Sequence, residues 1–408
     1  MIQTVTIGGI AAGGDGVGRL SDGMAVFVPR TAPGDEAEIE VTERKGRFAR
    51  ARLVRLAGSG PDRVDPPCPH YEGDRCGGCR LQHMSVSAQR EVKGRLVGDA
   101  LRRIGKREVS DPSVVPSSEQ WRYRSKITLA VADGRIGLHR EDSPGSVFEL
   151  DDCLLVRERV MRLWGKMREQ RRFLPVKLES LVLREDRDGR LHAMVAGGDE
   201  SWDAGELAVR LGDEEISFWW RPEKGAARVV AGPTTGFPAV AFEQVNAELA
   251  QEVRLEAVRG VGDVAGKVVW DLYGGVGDTA ELLRARGAEV WSIDSDRTAV
   301  EWGRARGSSE VKRLVGRVEE SLGRMPIPAA IVVNPPRAGV DSGVARFVEN
   351  WAGVARAGVQ RLAYVSCDPA TLARDLGRMP SLHIRSVTAF DLFPHTAHVE
   401  TLALLEAR

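Results

Sequence analysis

The sequence predicts a multidomain protein, in which a small N-terminal β-barrel precedes a central α+β domain and a C-terminal α/β domain with a Rossmann-like sheet. Its length of 408 residues exceeds what one compact core normally holds. Short strand-like segments separated by glycine-rich turns fill residues 1–57. From about residue 237, apolar runs of strand length alternate with helical segments, as in a parallel, doubly wound sheet. We therefore expect domains at 1–57, 58–235 and 236–408.

The charge of the chain is balanced, with 58 basic and 58 acidic residues. This balance argues against a protein that coats nucleic acid without specificity, but it is compatible with local basic patches. One such patch lies at 41–57, which contains six basic residues and one acidic residue. It is either a phosphate-contacting surface or the solvated face of a strand.

The sequence contains neither an apolar run long enough to span a membrane nor a secretory signal. We therefore expect a cytoplasmic protein without a membrane partner, and no pattern indicates an obligate protein partner. In the cytosol, clustered cysteines more often indicate a metal site or catalysis than disulfide bonds.

Four of the five cysteines lie in the first 153 residues. Three of them, Cys68, Cys76 and Cys79, are spaced as C-x7-C-x2-C in "CPHYEGDRCGGCRLQH", and the fourth, Cys153, lies in "ELDDCLLV". Four thiolates can hold zinc or an iron–sulfur cluster, and the spacing does not distinguish these groups. The sequence therefore predicts a four-cysteine ligand set in the central domain.

The segment "VVWDLYGGVGDTAELL" has the pattern of a buried strand, a glycine-rich turn and a helix, which lets a polar ligand approach the backbone closely. Its glycines do not match the dinucleotide fingerprint G-x-G-x-x-G. Asp294 ends the next predicted strand, where a carboxylate can accept hydrogen bonds from ribose hydroxyls. This combination favours S-adenosylmethionine over a dinucleotide, with a purely structural turn in another α/β enzyme as the alternative.

The loop "VVNPPRAG" follows a later strand of the same predicted sheet. An Asn-Pro-Pro-aromatic loop is typical of enzymes that methylate exocyclic amino groups, in which the aromatic ring stacks on the base. In this chain Arg337 occupies the aromatic position. The substitution disfavours amine methylation.

The fifth cysteine, Cys367, stands alone in "YVSCDPATLARD", just after an apolar strand. We expect the N-terminus of the following helix to lower the pKa of its thiol. Glu400 begins the last apolar strand of the chain. A thiolate and a carboxylate beside a methyl donor fit methylation of uracil carbon 5, in which the thiolate attacks carbon 6 and a base removes the hydrogen from carbon 5.

Together these motifs resemble the RNA uridine-5-methyltransferases of the RumA/TrmA family, which have an N-terminal TRAM domain in some branches. The resemblance extends over most of the chain and rests on "CGGCRLQH", "WRYRSK", "FEQVNAEL", "DLYGGVGDTA", "NPPRAG", "YVSCDPATLARD" and "FPHTAHVETLALL". Of these, the last two are the most specific.

The resemblance implies a role for each candidate residue. Cys367 would be the nucleophile and Glu400 the base, and a [4Fe–4S] cluster, rather than zinc, would be held by the four-cysteine set. The implied S-adenosylmethionine contacts are Gln244, Tyr273, Asp294 and Asn334. The family more often has Asp at the position of Asn334, so a negative charge is lost there.

The implied reaction is S-adenosylmethionine-dependent methylation of carbon 5 of a uridine. The cluster together with a TRAM-like domain resembles the 23S rRNA branch, and tRNA stays open as the substrate. The other hypotheses are an exocyclic-amine methyltransferase and a non-catalytic RNA-binding factor. The resemblance also favours RNA contacts for the 41–57 patch and for "WRYRSK", in which aromatic and basic residues alternate.

Overall fold

The computed structural model forms two compact units. The first unit comprises residues 1–65, 80–118 and 248–408, and the second comprises 66–79 and 119–247. The structure describes residues 2–198, 202–212, 216–234, 236–354 and 360–407.

The N-terminal part of the first unit is a six-stranded sheet. Its strands are β1 (Ile2–Thr6), β2 (Gly9–Ile10), β3 (Gly16–Arg19), β4 (Ala25–Val28), β5 (Glu36–Lys45) and β6 (Phe48–Gly58). They are ordered β1-β5-β6-β4-β3-β2, and all pairs are antiparallel except β4 with β6. Alternate residues such as Val26 and Val28 point into a small apolar core. The strand-rich N-terminal domain predicted from the sequence is confirmed.

The basic patch at 41–57 lies mostly on β6 and at the turn that joins it to β5. Arg52 forms an ion pair with Glu40, and Arg55 forms one with Glu38, both across the two strands. Arg50 lies 3.9 Å from a carboxylate oxygen of Glu43. These arginines therefore share the surface with carboxylates, and the patch is less positive than the one-dimensional sequence indicates.

Two helices and one strand lie between the first sheet and the second. They are α1 (Pro69–Glu72), α2 (Val86–Arg103) and β7 (Val114–Val115). Ser85 begins α2 as its N-cap, since its side chain accepts a hydrogen bond from the backbone nitrogen of Ala88. Within the ranges that the structure describes, no helix combines the length and apolar character needed to cross a membrane.

The second unit is built around a seven-stranded sheet ordered β10-β9-β8-β11-β12-β13-β14. Its elements are β8 (Lys126–Ala132), β9 (Arg135–His139), β10 (Val147–Glu149), α3 (Glu158–Glu169), a 3₁₀ turn (Arg171–Phe173), β11 (Leu178–Glu185), β12 (Leu191–Gly197), α4 (Gly205–Leu211), β13 (Ile216–Arg221) and β14 (Arg228–Ala231). Helix α3 packs on β11 and buries Trp164 in the core of this unit. This unit is α+β, as the sequence predicts.

The C-terminal part of the first unit alternates helices and strands. Its elements are α5 (Ala247–Gly260), β15 (Val268–Leu272), α6 (Asp278–Ala285), β16 (Glu289–Asp294), α7 (Arg297–Arg306), β17 (Lys312–Val315), α8 (Val318–Ser321), a 3₁₀ turn (Leu322–Arg324), β18 (Ala330–Val333), α9 (Ser342–Ala352), β19 (Arg361–Ser366), α10 (Pro369–Gly377), β20 (Leu382–Phe390) and β21 (Glu400–Ala407). Neighbouring residues of β18 join different cores: Ile331 packs on one face of the sheet and Val332 on the other. The sheet is thus covered on both faces, as a parallel sheet requires.

The strands of this sheet are ordered β17-β16-β15-β18-β19-β21-β20-β7. Strands β15 to β19 are parallel, whereas β21 runs antiparallel between β19 and β20. The carboxyl ends of β15 to β19 therefore meet at one edge of the sheet, where ligands bind in such folds. Because β21 is reversed, its first residue lies at that same edge.

The sequence analysis assigns residues 80–118 to the central domain, whereas in the structure they belong to the first unit. Val97 and Leu101 of α2 share an apolar core with Leu372 and Leu376 of α10. Packing between helices that are far apart in sequence therefore brings this segment into the first unit. The three-domain division itself stays a prediction.

Candidate active site

A cavity of about 480 Å³ opens at the carboxyl edge of the C-terminal sheet. The ends of four neighbouring parallel strands contribute to its wall, through Tyr273 after β15, Ser295 after β16, Gly316 after β17 and Pro336 after β18. The residues that follow Gly316, from Arg317 to Glu319, line it as well. The sequence analysis missed this last segment, because no motif marks it.

The glycine-rich turn after β15 is shaped by close contacts. A side chain at Gly274 would lie 2.4 Å from a carboxylate oxygen of Asp271, whereas nothing lies within 4 Å of the corresponding position at Gly275. Gly275 has φ +56 and donates a backbone hydrogen bond to Asp294 over 2.8 Å. The turn therefore leaves open space beside its backbone and is tied to the carboxylate that ends β16, an arrangement that fits a polar ligand such as S-adenosylmethionine.

Three of the four predicted cofactor contacts lie at this edge. Tyr273 has a positive φ of 61° and lines the cavity, while Asp294 ends β16. Asn334 follows β18, is exposed, and donates its backbone N–H to Leu272 over 3.2 Å. Gln244, the fourth, belongs to the second unit, on the segment that leads into α5.

Glu400 is the first residue of β21 and only 2% exposed. Its Oε2 atom is buried and has no hydrogen-bond partner within the described part of the chain. Burial raises the pKa of Glu400 to about 8. A carboxyl group with this pKa suits a general base that works near neutral pH.

Cys367 lies directly beyond the end of β19, and it is half-buried. Its neighbour Ser366 pairs with Thr401 of β21, so the thiol and the carboxyl of Glu400 lie at adjacent strand ends. Burial raises the pKa of the Cys367 thiol, and the charge of Glu400 raises it further. The arrangement brings together the two residues that the sequence analysis singled out.

The pKa of the Cys367 thiol is raised overall, in the opposite direction to the expectation, which considered only the N-terminus of α10. Asp368 caps that helix, accepting a hydrogen bond from the backbone nitrogen of Thr371 over 2.7 Å. Burial raises the pKa of the thiol most, followed by the charge of Glu400, and the Asp368 carboxylate adds a smaller increase, whereas the positive charge of Arg337 and a backbone hydrogen bond lower it. The N-cap charge thus opposes the helix dipole at this position.

Asp375 ties the loop after β18 to α10. Its fully buried carboxylate accepts hydrogen bonds from the backbone of Val340 over 2.9 Å and from the hydroxyl of Tyr364 over 2.7 Å. The hydroxyl of Thr371 also donates to the carbonyl oxygen of Arg337 over 3.1 Å. The loop that carries Asn334 and Arg337 is therefore anchored to the helix that follows Cys367.

The four remaining cysteines all belong to the second unit and are partly buried. Cys76 and Cys153 pack against its apolar core, and burial raises the pKa of both Cys68 and Cys153. Four thiols in one unit have the donor chemistry of a metal or iron–sulfur site. Across the ranges that the structure describes, however, no three potential metal-ligating side chains are grouped as they would be around a metal ion.

The motif "WRYRSK" contributes to the loop that carries Cys153. Arg122 donates to both carboxylate oxygens of Asp152, over 2.8 and 2.6 Å, and to the carbonyl oxygen of Cys153 over 2.9 Å. The guanidinium of Arg122 is thereby engaged within the protein. This contact favours a structural role for Arg122 over the expected RNA contact.

A mostly parallel sheet with a reversed strand beside its edge, and with a cavity at its carboxyl edge, is the fold of the S-adenosylmethionine-dependent methyltransferases. Two family models match the chain: the TRAM domain over residues 1–54 and tRNA (Uracil-5-)-methyltransferase over residues 307–408.

Relatives cover nearly the whole chain. An RNA methyltransferase of Streptomyces coelicolor is 32% identical, over 98% of this chain and 92% of its own length. The 23S rRNA (uracil(1939)-C(5))-methyltransferase RlmD of Halomonas elongata is 30% identical, over 99% and 89%. The structure of the Pyrococcus abyssi tRNA (uracil-54, C5)-methyltransferase with S-adenosyl-L-homocysteine is similar with a TM-score of 0.73 and 26% identity, covering 98% of this chain and 99% of that one. The chain belongs to the family of RNA uracil-5-methyltransferases.

The raised pKa of Glu400 predicts how stability depends on pH. Between the ordinary value of 4.5 and about 8, the folded protein retains a proton that the unfolded chain releases. The wild-type protein therefore loses stability as pH rises through this window, by at most about 1.4 kcal/mol per pH unit. We expect the stability of Glu400→Gln relative to the wild type to increase across the window, as measured by urea unfolding at several pH values.

Glu406→Gln is the matched control for this experiment. Glu406 lies on the same strand, is partly exposed and forms an ion pair with Arg385 over 3.2 Å. Its effect on stability provides the baseline for losing a partly exposed carboxylate from this strand. If the stability difference between Glu400→Gln and the wild type is constant with pH, the pKa of Glu400 is not raised by burial.

Arg337 provides a second prediction, because its charge lowers the pKa of the Cys367 thiol. We expect Arg337→Ala to shift the pH midpoint of Cys367 alkylation upward, and Arg337→Lys to shift it much less. Mass spectrometry of the peptide that contains Cys367, after brief iodoacetamide treatment at a series of pH values, measures the midpoint. Equal midpoints in the wild type and in Arg337→Ala would exclude the electrostatic contact.

Proposed function

We propose that the protein methylates carbon 5 of a uridine in 23S rRNA, using Cys367 as nucleophile and Glu400 as base. The observation that carries this proposal is the buried carboxyl of Glu400, which lies at the strand end beside Cys367 and whose Oε2 has no hydrogen-bond partner among the residues that the structure describes. Burying a hydrogen-bond acceptor without a donor costs stability, and groups kept in such a state are concentrated at sites that bind or convert a substrate.

The proposed reaction divides into addition, methylation and elimination. The Cys367 thiolate attacks uracil carbon 6, and the electron pair of the 5,6 double bond moves toward carbon 5 to give an enolate. S-adenosylmethionine supplies an electrophilic methyl group, which carbon 5 accepts as S-adenosylhomocysteine leaves. Glu400 then removes the proton from carbon 5, the double bond re-forms, and the Cys367 thiolate is expelled.

Residues at the sheet edge are proposed to hold S-adenosylmethionine. The Asp294 carboxylate already accepts backbone hydrogen bonds from Gly275 and Asp296, which fix its orientation, and carboxylate oxygens retain capacity for ribose hydroxyls. We assign Tyr273, Asn334 and Gln244 as the other contacts. The amide of Asn334 can donate and accept hydrogen bonds, but it adds no negative charge.

RNA is the proposed partner, and the protein is proposed to act on it in the cytoplasm. The TRAM match over residues 1–54 and the name of the Halomonas elongata relative support a 23S rRNA substrate. The tRNA named for the similar Pyrococcus abyssi structure keeps tRNA as the alternative. Methylation mapping of rRNA and tRNA from a strain that lacks the protein distinguishes them.

We further propose that Cys68, Cys76, Cys79 and Cys153 hold a [4Fe–4S] cluster. The donor set supports this proposal, since four cysteines in one unit can supply four thiolates. The contact between Arg122 and the Cys153 carbonyl would orient one of these ligands. No step of the methylation is assigned to the cluster.

The covalent mechanism predicts that the protein forms an adduct with RNA containing 5-fluorouridine. The adduct is stable because fluorine at carbon 5 cannot be removed as a proton. Denaturing gel electrophoresis with labelled RNA and S-adenosylmethionine detects it. We expect Cys367→Ala to abolish the adduct; an adduct that persists in this variant would exclude Cys367 as nucleophile.

Glu400→Gln separates the base from the nucleophile. With ordinary uridine RNA, this variant should accumulate a methylated covalent complex, because addition and methyl transfer proceed while proton removal does not. Normal turnover in Glu400→Gln would exclude the assigned base. Retained methylation in Cys367→Ala would instead favour methylation of an exocyclic amine.

The cluster proposal predicts a brown protein after anaerobic purification, containing iron and acid-labile sulfide in near-equal amounts. We expect Cys153→Ser to lose most of both, while Cys367→Ser, outside the ligand set, retains them. Visible absorption spectra and elemental analysis provide the measurement. A colourless, zinc-containing protein would overturn the assignment.

A further inference from the structure

Helix α2 carries a lysine, Lys93, whose side chain is 0% exposed. Its ammonium donates to Oδ1 of Asp391 over 2.5 Å and to the carbonyl oxygen of Phe393 over 3.0 Å. A fully buried lysine is rare unless it is paired, because desolvation of the charge is costly. Lys93 therefore fixes the start of the segment 391–399, which we call the base loop.

Gln89, one turn before Lys93, fixes the middle of the base loop. Its Oε1 accepts a hydrogen bond from the backbone nitrogen of His395 over 2.9 Å, while its Nε2 donates to the carbonyl oxygen of Met84 over 2.9 Å. The backbone nitrogen of Leu81 donates to the carbonyl oxygen of His395 over 2.9 Å. His395 has a positive φ of 66°, so the loop needs external contacts to keep this conformation.

The base loop is followed directly by Glu400. It connects β20 to β21, and Phe390 at the end of β20 pairs with Glu400 at the start of β21. The Oε2 atom of Glu400 has no hydrogen-bond partner within the described residues, so that atom is not oriented by a local bond. The base loop leads directly into Glu400, so the path of its backbone sets where the Glu400 side chain begins.

We propose that Lys93 and Gln89 are positioning residues that hold the base loop so that Glu400 meets the proton on carbon 5 of the methylated intermediate. This inference rests on the proposed function, in which Glu400 is the base. It assigns a catalytic consequence to α2, a helix that contributes no side chain to the reaction itself. Loss of the anchor slows elimination more than it slows addition and methyl transfer.

The test measures the two stages separately. Each variant is mixed with labelled uridine RNA and S-adenosylmethionine, and rapid quenching follows both the methylated covalent complex and the released product. In Lys93→Met combined with Asp391→Leu, both buried charges are replaced together, which avoids leaving one of them unpaired. We expect release to slow by on the order of tenfold to a hundredfold relative to formation, so that the methylated complex accumulates.

The matched control is a buried ion pair elsewhere in the first unit. Arg63 and Asp35 are joined over 2.6 Å, with side chains 16% and 0% exposed. Arg63→Met combined with Asp35→Leu should lower stability without changing the ratio of release to formation. The same change of ratio in both double variants, or no change in the Lys93 variant, would overturn the proposal.

Gln89 provides an independent test if the double variant does not fold. Gln89→Met removes both the acceptor for the backbone nitrogen of His395 and the donor to Met84, whereas Gln89→Glu keeps the acceptor and loses only the donor. We expect the methylated complex to accumulate in Gln89→Met and to be largely cleared in Gln89→Glu. Equal behaviour of these two variants would overturn the positioning role, whereas a wild-type protein that forms no adduct with 5-fluorouridine RNA would refute the proposed function itself.

Discussion

Burial of the Glu400 carboxyl is the constraint around which the C-terminal sheet is organised. A buried carboxyl whose Oε2 has no hydrogen-bond partner among the described residues is costly in a protein interior, so close packing of the surrounding chain is needed to enclose it. The strand β21 does this, because it runs between β19 and β20 and is paired on both sides. The same pairing brings Glu400 to the strand end beside Cys367. The pairing of β21 on both sides therefore both buries the Glu400 carboxyl and places it near Cys367.

A second set of contacts keeps the other side of the site in place. Asp375 joins the loop after β18 to α10, and Lys93 joins α2 to the base loop. Both contacts use a charged group that is completely buried. Loops at the carboxyl edge are therefore anchored to neighbouring helices by buried polar contacts, an arrangement expected where reacting groups must be held within a fraction of an ångström.

Much of this organisation is encoded in short stretches of sequence. The alternation of apolar strands and helices predicted the C-terminal sheet, and the motifs placed Cys367 after one strand and Glu400 at the start of another. That the two share an edge follows from the reversed direction of β21, which no sequence pattern indicated. The pKa of Cys367 was predicted in the wrong direction, because burial of the thiol and its proximity to Glu400 depend on three-dimensional placement. The membership of α2 in the first unit was missed for a related reason: Lys93 and Asp391 are 298 positions apart, and no local pattern reveals their contact. Arg122 likewise reads as a surface cation until its contact with Asp152 is seen.

The cross-strand ion pairs on the N-terminal sheet have a consequence for how RNA would be bound and released. A phosphate that approaches Arg52 or Arg55 must compete with Glu40 or Glu38, which already occupy those guanidinium groups. Binding there is then an exchange of anions rather than the capture of one by an open cation. Exchange favours a rapid search of many RNA segments, since the carboxylates can displace a phosphate that is held by nothing else. Such a surface would release the modified RNA readily.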